Sequence, residues 1–416
     1  MNAQRRLAVW FTLITLAACR DPSDPARVGA PAFGSADQPS PLVTTDHQVP
    51  HVSTVPANAG QSVSLLVREV VADNRDARKV VLMIHGASVP VLPGSNLERD
   101  GYDWARWLAQ AGGFDVFMLD FQGSGQSPRP KMDDPCNVPT AQQQSILIPN
   151  PLSATCPLAY PFQLINSRSD WDELDAVVDY VRALRGIEKV ALVSWSQGSF
   201  RVGPYAVQHP DKVESLLLYA PIYNPEGRAG LGPDGFDPPV SLPQPGTPMT
   251  LTTRSVFMSR WDPEIKCDEQ IEEGIQDVVW NSILDNDAIG RTWGPADGVM
   301  RVRSPFLWGW NAATARRLSV PVLIIIGKLD QQVEVFPRFP NSYFNLYDII
   351  PHSHKLLFRV DCAGHFMVWE RQRRVLQNNS KKGLKKGAGQ GFTSGKFLGG
   401  TKGGISPEAE SSTARD

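Results

Sequence analysis

The sequence predicts an α/β fold: a mostly parallel central sheet with helices on both faces and an inserted cap. Three observations predict it. Continuous apolar runs stop at small or polar residues, helical patterns lie between those runs, and a long tryptophan-bearing segment interrupts the alternation. Apolar runs without a polar face suit strands buried on both sides, and parallel neighbours need crossovers that helices supply.

The strand pattern begins with SVSLLVREVV (62–71), which alternates, and KVVLMIHGAS (79–88), a buried run stopped by Gly86. It continues with FDVFMLDFQGSG (114–125), KVALVSWSQG (189–198), VESLLLYAP (213–221), VPVLIIIGKLD (320–330) and KLLFRVDCAGH (355–365). In SRSDWDELDAVVDYVRALRG, Trp171, Leu174, Val178, Val181 and Leu184 recur at helical spacing. Ser169 is the candidate N-cap there, Asp170 and Asp172 favour the first turn, and Gly186 is the stop. SFRVGPYAVQHP puts Val202, Tyr205 and Ala206 on one helix face and ends at Pro210.

Two segments break the rhythm. Prolines at 135, 139, 149, 151, 157 and 161 are too dense for a helix, so 131–165 reads as an ordered excursion. Residues 226–319 turn helical through DEQIEEGIQDVVWNSILDND and carry Trp261, Trp280, Trp293, Phe306, Trp308 and Trp310. Inserted between two core strands, they read as a cap whose tryptophans mostly pack, with one or two free to face a pocket. The core is then expected in two parts, 61–225 and 320–380.

The ends are expected to stay outside the core. Arg5 and Arg6 precede an apolar segment, Leu7–Ala18, too short to span a bilayer as a mature helix, as in an export signal over 1–18. Leu16-Ala17-Ala18-Cys19 resembles the bacterial lipobox, which implies lipidation of Cys19 and attachment to a membrane by lipid only; an ordinary signal cut near Ala18 is the alternative. Residues 19–60 read as a tether and the Lys/Gly-rich 381–416 as a solvated tail. The formal charge of −2, with no basic cluster before that tail, excludes nucleic acid as a partner. Oligomeric state is not legible.

Beyond Cys19 stand Cys136, Cys156, Cys267 and Cys362, an even number in an exported chain, which predicts two disulfides. Three pairings are possible. Cys136 and Cys156 bracket one insertion, which favours joining them and leaves Cys267 with Cys362. No metal-ligand spacing occurs in the sequence.

Chemistry concentrates where the strands end, the edge at which open parallel sheets bind ligands. In VALVSWSQGSFRVG (190–203) a strand runs through small-x-Ser-x-Gly into a helix, the nucleophile elbow that lifts a serine above the sheet. Ser196 takes the nucleophile position, and Ser194 stands where glycine is usual. A serine needs a base, and the base needs a carboxylate to fix its tautomer. Asp330 ends a strand in GKLD, and His365 follows one in DCAGHF. Glu226, after another strand, is a rival acid. His352 and His354 precede their strand, His209 ends a helix, and His47 and His51 fall in the expected tether, which leaves His365 as base.

SWSQG, HGAS, DFQGSGQS and the order Ser196, Asp330, His365 resemble the α/β-hydrolase superfamily over residues 60–375. The resemblance implies Ser196 as nucleophile, His365 as base and Asp330 as its orienting acid. It also implies that the Gln197 and Ala87 amides hold the oxyanion, that His85 is structural, and that no cofactor is used. Gly123 and Gly125 lack the third glycine of a dinucleotide fingerprint. The expected activity is hydrolysis of an apolar or aromatic carboxylic ester, a small-molecule substrate, through an acyl-enzyme. Amide, carbon-carbon and cofactor-free peroxidase chemistry on the same triad are alternatives, and a non-catalytic ligand-binding lipoprotein is the alternative of another class. Haloalkane and epoxide chemistry are disfavoured, because those relatives carry Asp where Ser196 stands.

Overall fold

The computed structural model describes residues 41–73, 79–335, 342–386, 392–400 and 404–408. The expected export signal and Cys19 lie outside the described residues. No helix among the described residues is long and apolar enough to cross a membrane.

The strands are β1 (Leu42–Val52), β2 (Ser62–Ala72), β3 (Lys79–Ile84), β4 (Phe114–Leu119), β5 (Ile165–Asn166), β6 (Val190–Trp195) and β7 (Val213–Tyr219). They continue with β8 (Met249–Thr253), β9 (Val299–Arg303), β10 (Pro305–Phe306), β11 (Val322–Gly327), β12 (Lys355–Val360), β13 (Ser394–Gly399) and β14 (Ile405–Pro407). Among the described residues the main sheet has ten strands in the order β1-β2-β4-β3-β6-β7-β11-β12-β13-β14. Its centre, from β4 through β13, is parallel, and β1, β2 and β14 run antiparallel to their neighbours. Strands β3, β4, β6 and β11 are buried along nearly their whole length, as the unbroken apolar runs require.

The helix Ser167–Arg185 stops at Gly186 in the left-handed region, φ +62°. Its start corrects the expectation. Asn166 is the N-cap, and Ser169 sits three residues on, where its hydroxyl closes a capping box by accepting from the Asn166 amide. The following helix, Ser199–Gln208, buries Val202, Tyr205 and Ala206.

Both expected loose ends are corrected. The tether does not reach residue 60, because β1 pairs with β2 along all of Leu42–Val52. Arg68 grips Asp46 with two hydrogen bonds, and His47 bridges Glu69 (2.8 Å) and the Tyr180 hydroxyl (2.9 Å). Over its described residues through 408, the Lys/Gly-rich region is not a free tail. The helix Arg373–Lys386 packs Val375, Leu376 and Leu384 inward, and β13 extends the sheet with Phe397 stacked on Phe358. Gly383 permits that packing, since a Cβ there would meet the Leu323 side chain at 2.4 Å.

The two insertions pack on each other. β5 pairs with β10, and the Gln142 side chain both donates to and accepts from the Leu251 backbone, while β8 pairs with β9 within the cap. Met132, Val138, Leu147, Leu164, Met249, Trp293 and Val299 form a second apolar core between them. The Cys136–Cys156 bridge closes the proline-rich excursion, and Cys267–Cys362 ties the cap to the loop after β12.

Candidate active site

Ser196 leaves β6 with φ +56°, a left-handed conformation that costs a non-glycine residue and marks the sharp elbow. The turn is possible because two neighbours lack side chains. A Cβ on Gly198 would stand 2.9 Å from the His85 carbonyl oxygen and 3.1 Å from the Ser194 Cβ; one on Gly86 would stand 3.2 Å from the Ser196 Cβ. Ser194 fits in place of the usual glycine, but its buried hydroxyl has no hydrogen-bond partner.

His365 follows β12 and is buried, and its Nδ1 donates to Asp330 Oδ2 at 2.9 Å. Asp330 is itself held by the amides of Gln332 (2.9 Å) and Val333 (3.2 Å) on its other oxygen. With Nδ1 donating to the carboxylate, Nε2 is left as the basic nitrogen. Burial disfavours the charged ring, but the Asp330 carboxylate, with Glu264 and Glu370 behind it, holds the His365 pKa above its ordinary value. Glu226 makes no bond to His365; its amide bonds the Asn224 side chain instead.

Ser196, Gln197, Ala87 and His365 line one cavity of about 400 Å³, together with Val89, Trp195, Ile222, Phe257 and Phe366. No direct hydrogen bond joins Ser196 to His365 among the described residues, a looseness common before substrate binds. The cap tryptophans singled out in the sequence pack inward, and none of them lines the cavity; its aromatic wall comes from Trp195, Phe257 and Phe366. A larger depression, about 580 Å³ around Arg68, Arg99, Arg106 and Arg374, contains none of the triad.

The Ala87 amide is aimed from behind. Arg201, buried on the helix after the elbow, donates to the carbonyls of His85 (2.8 Å) and Gly86 (3.2 Å). A trans peptide points its N–H opposite its C=O, so holding the Gly86 carbonyl back turns the Ala87 N–H away from Arg201. Asp170, also buried, pairs with both Arg201 (2.7 Å) and Arg303 (3.0 Å). Gln197 lies in the first turn of the elbow helix, where amides lack intrahelical acceptors. His85 keeps its imidazole in the loop, with Nδ1 bonded to the Gly86 carbonyl.

Residues 79–244 match the family described as the alpha/beta hydrolase fold. This chain has the α/β-hydrolase fold. Among solved structures, this hydrolase fold is similar to a carboxylesterase from Bacillus subtilis at 13% identity, covering 83% of this chain and 93% of that one, TM-score 0.47. A thermophilic esterase from Thermogutta terrifontis matches at 14% identity, 82% and 99% coverage and TM-score 0.44. A 2-hydroxy-6-oxo-6-phenylhexa-2,4-dienoate hydrolase from Rhodococcus sp. strain RHA1 matches at 16%, 80% and 96%, TM-score 0.43. No curated protein matches the sequence.

The hydrolase fold adds groups that sequence reasoning missed. Glu264, fully buried and contributed by the cap, accepts from the His365 amide (2.6 Å) with one oxygen and from the Gln331 amide (2.9 Å) with the other. One carboxylate thus joins the acid loop to the base loop. Burial, then the Asp330 charge, pushes it up to about 7. Glu370 accepts from the Gly364 amide and is likewise pushed up to about 7, chiefly by burial. The tryptophan between the two serines holds the base loop from the other side. Trp195 Nε1 and the Tyr219 hydroxyl both donate to the His365 carbonyl, at 3.2 and 2.7 Å. No local pattern around Glu264 or Trp195 marks either role; only the proximity of Cys267, three residues past Glu264, ties that segment to the base loop in the sequence.

Proposed function

We propose that this protein is a serine hydrolase that cleaves a carboxylic ester through an acyl-enzyme. The observation that carries the proposal is the His365–Asp330 pair, 2.9 Å apart, beside a cavity that Ser196 shares at a strained elbow. Ser196 Oγ attacks the acyl carbonyl as its proton passes to His365 Nε2, and the oxyanion gathers the Gln197 and Ala87 amides, each worth about 3 kcal/mol when preorganised. The C–O bond then breaks, and the leaving alkoxide takes the proton from Nε2. Water attacks the acyl carbon, giving its proton to His365 and returning Ser196 to its hydroxyl form as the acid departs.

A fluorophosphonate probe tests the reading. The wild-type protein is expected to gain one adduct that peptide mapping places on Ser196, and to turn over p-nitrophenyl acetate and butyrate. An inert protein that takes no label would instead be a binding protein on a hydrolase fold.

We also propose that the chain is exported and lipidated at Cys19. The charged, then apolar N-terminus ending in LAAC supports this, as do two disulfides, which persist in oxidising compartments. Intact mass of the mature protein from the membrane fraction is expected to show acyl chains on an N-terminal Cys19. An unmodified N-terminus near that position would reduce the signal to an ordinary one.

A further inference from the structure

The ester reading leaves unused Arg260, the one Arg or Lys among the described residues that line this cavity. Arg260 lies near the end of the helix Arg254–Trp261, whose Phe257, Met258 and Trp261 are buried while Ser259 and Arg260 reach the cavity mouth. At the other end of the same helix Arg254 is paired with Asp277 at 2.5 Å. Arg260 has no hydrogen bond or ion pair among the described residues. Burial of part of its side chain holds its pKa below the usual range. No Asp or Glu lines the cavity among the described residues.

A second donor lines the same cavity. Gln332 lines the cavity, and its side-chain Nε2 is buried with no hydrogen-bond partner, although its backbone amide is committed to Asp330. A buried polar group without a partner is unfavourable, because its lost hydration is not offset. The solvent-exposed Arg260 guanidinium and the buried Gln332 carboxamide, both lining the cavity that Ser196 lines, suit an acceptor that arrives with the substrate. The rest of the lining is mostly apolar, with Val89, Ile222, Phe257 and Phe366, but Ser88 and Gln331 also belong to it.

We infer that the substrate is an ester with an apolar body and an anionic carboxylate at one end, held by Arg260 with the Gln332 side-chain amide as second donor. The assignment rests on the ester hydrolase reading. A guanidinium meets a carboxylate through a planar fork of N–H donors, which supplies both charge and direction, and lysine reproduces only the charge.

Two matched pairs of esters test this. 4-Nitrophenyl hemisuccinate against 4-nitrophenyl butyrate places the carboxylate on the acyl side; 4-acetoxybenzoate against phenyl acetate places it on the alcohol side. The readout is the ratio of kcat/KM within each pair, anionic over neutral, in wild type, Arg260→Gln, Arg260→Lys and Gln332→Leu. In at least one pair the wild-type ratio is expected to exceed the Arg260→Gln ratio tenfold or more, with Arg260→Lys between them and Gln332→Leu also lowered. The wild-type ratio should fall as salt is added. Neutral esters turned over with ratios that Arg260→Gln leaves intact in both pairs would overturn the assignment alone. Absence of turnover of all four esters would overturn the ester reading and this assignment with it.

Discussion

Ser196→Ala is expected to lower kcat on p-nitrophenyl butyrate by about a million-fold, His365→Ala by a similar amount, and the double variant by little more. Nucleophile and base act as one unit, so once either is gone the other has nothing to activate or receive. What persists, about 10³-fold over water, belongs to the oxyanion donors and to binding. Steady-state turnover with an active-site titration measures all three proteins. Losses that added, or a His365→Ala enzyme that kept most of its rate, would mean a different base serves Ser196.

Asp330→Asn is expected to cost about 10⁴-fold in kcat. The amide can present an N–H to Nδ1 and so favour the wrong tautomer, leaving Nε2 protonated and unable to take the Ser196 proton. The pH profile carries a second signature. Catalysis needs the neutral imidazole, so kcat/KM falls as pH drops through the His365 pKa, which burial lowers and the Asp330 charge more than restores. Without that charge the acid limb should move to lower pH. Glu264→Gln is the informative contrast. Its carboxylate bonds the backbones of His365 and Gln331, not the imidazole nitrogens, so the expected loss is on the order of 10²-fold, the scale of a displaced group. The acid limb should move less than in Asp330→Asn. If the two variants exchanged these magnitudes, Glu264 would be the orienting acid.

Legibility of the fold and site followed the range of the interactions involved. The parallel core could be read because each strand is apolar on both faces, a property of consecutive residues such as Val322–Gly327. The elbow could be read because its steric demand falls on a few adjacent positions around Ser196. Asp330 and His365 stood out as strand-end residues in the right chain order. Arg201, by contrast, occurs in a helix where an arginine ordinarily faces water, and nothing local tells that it reaches back to the His85 and Gly86 carbonyls. β1 hid behind a polar pattern, Thr44 to Gln48, because an edge strand buries little and is held by cross-strand pairs. β13 hid behind lysine and glycine, although Phe397 anchors it.

The bridge between Cys267 and Cys362 restricts how a reactant can enter. Three residues from each end of it, Glu264 receives the His365 amide; beyond it, Gln270 accepts from Arg371 and Glu272 pairs with Arg373. Swinging this part of the cap outward as a hinged door would drag the imidazole away from its acid and strand a buried carboxylate. Entry to the cavity that Ser196 and Arg260 line is therefore expected to leave this part of the cap in place.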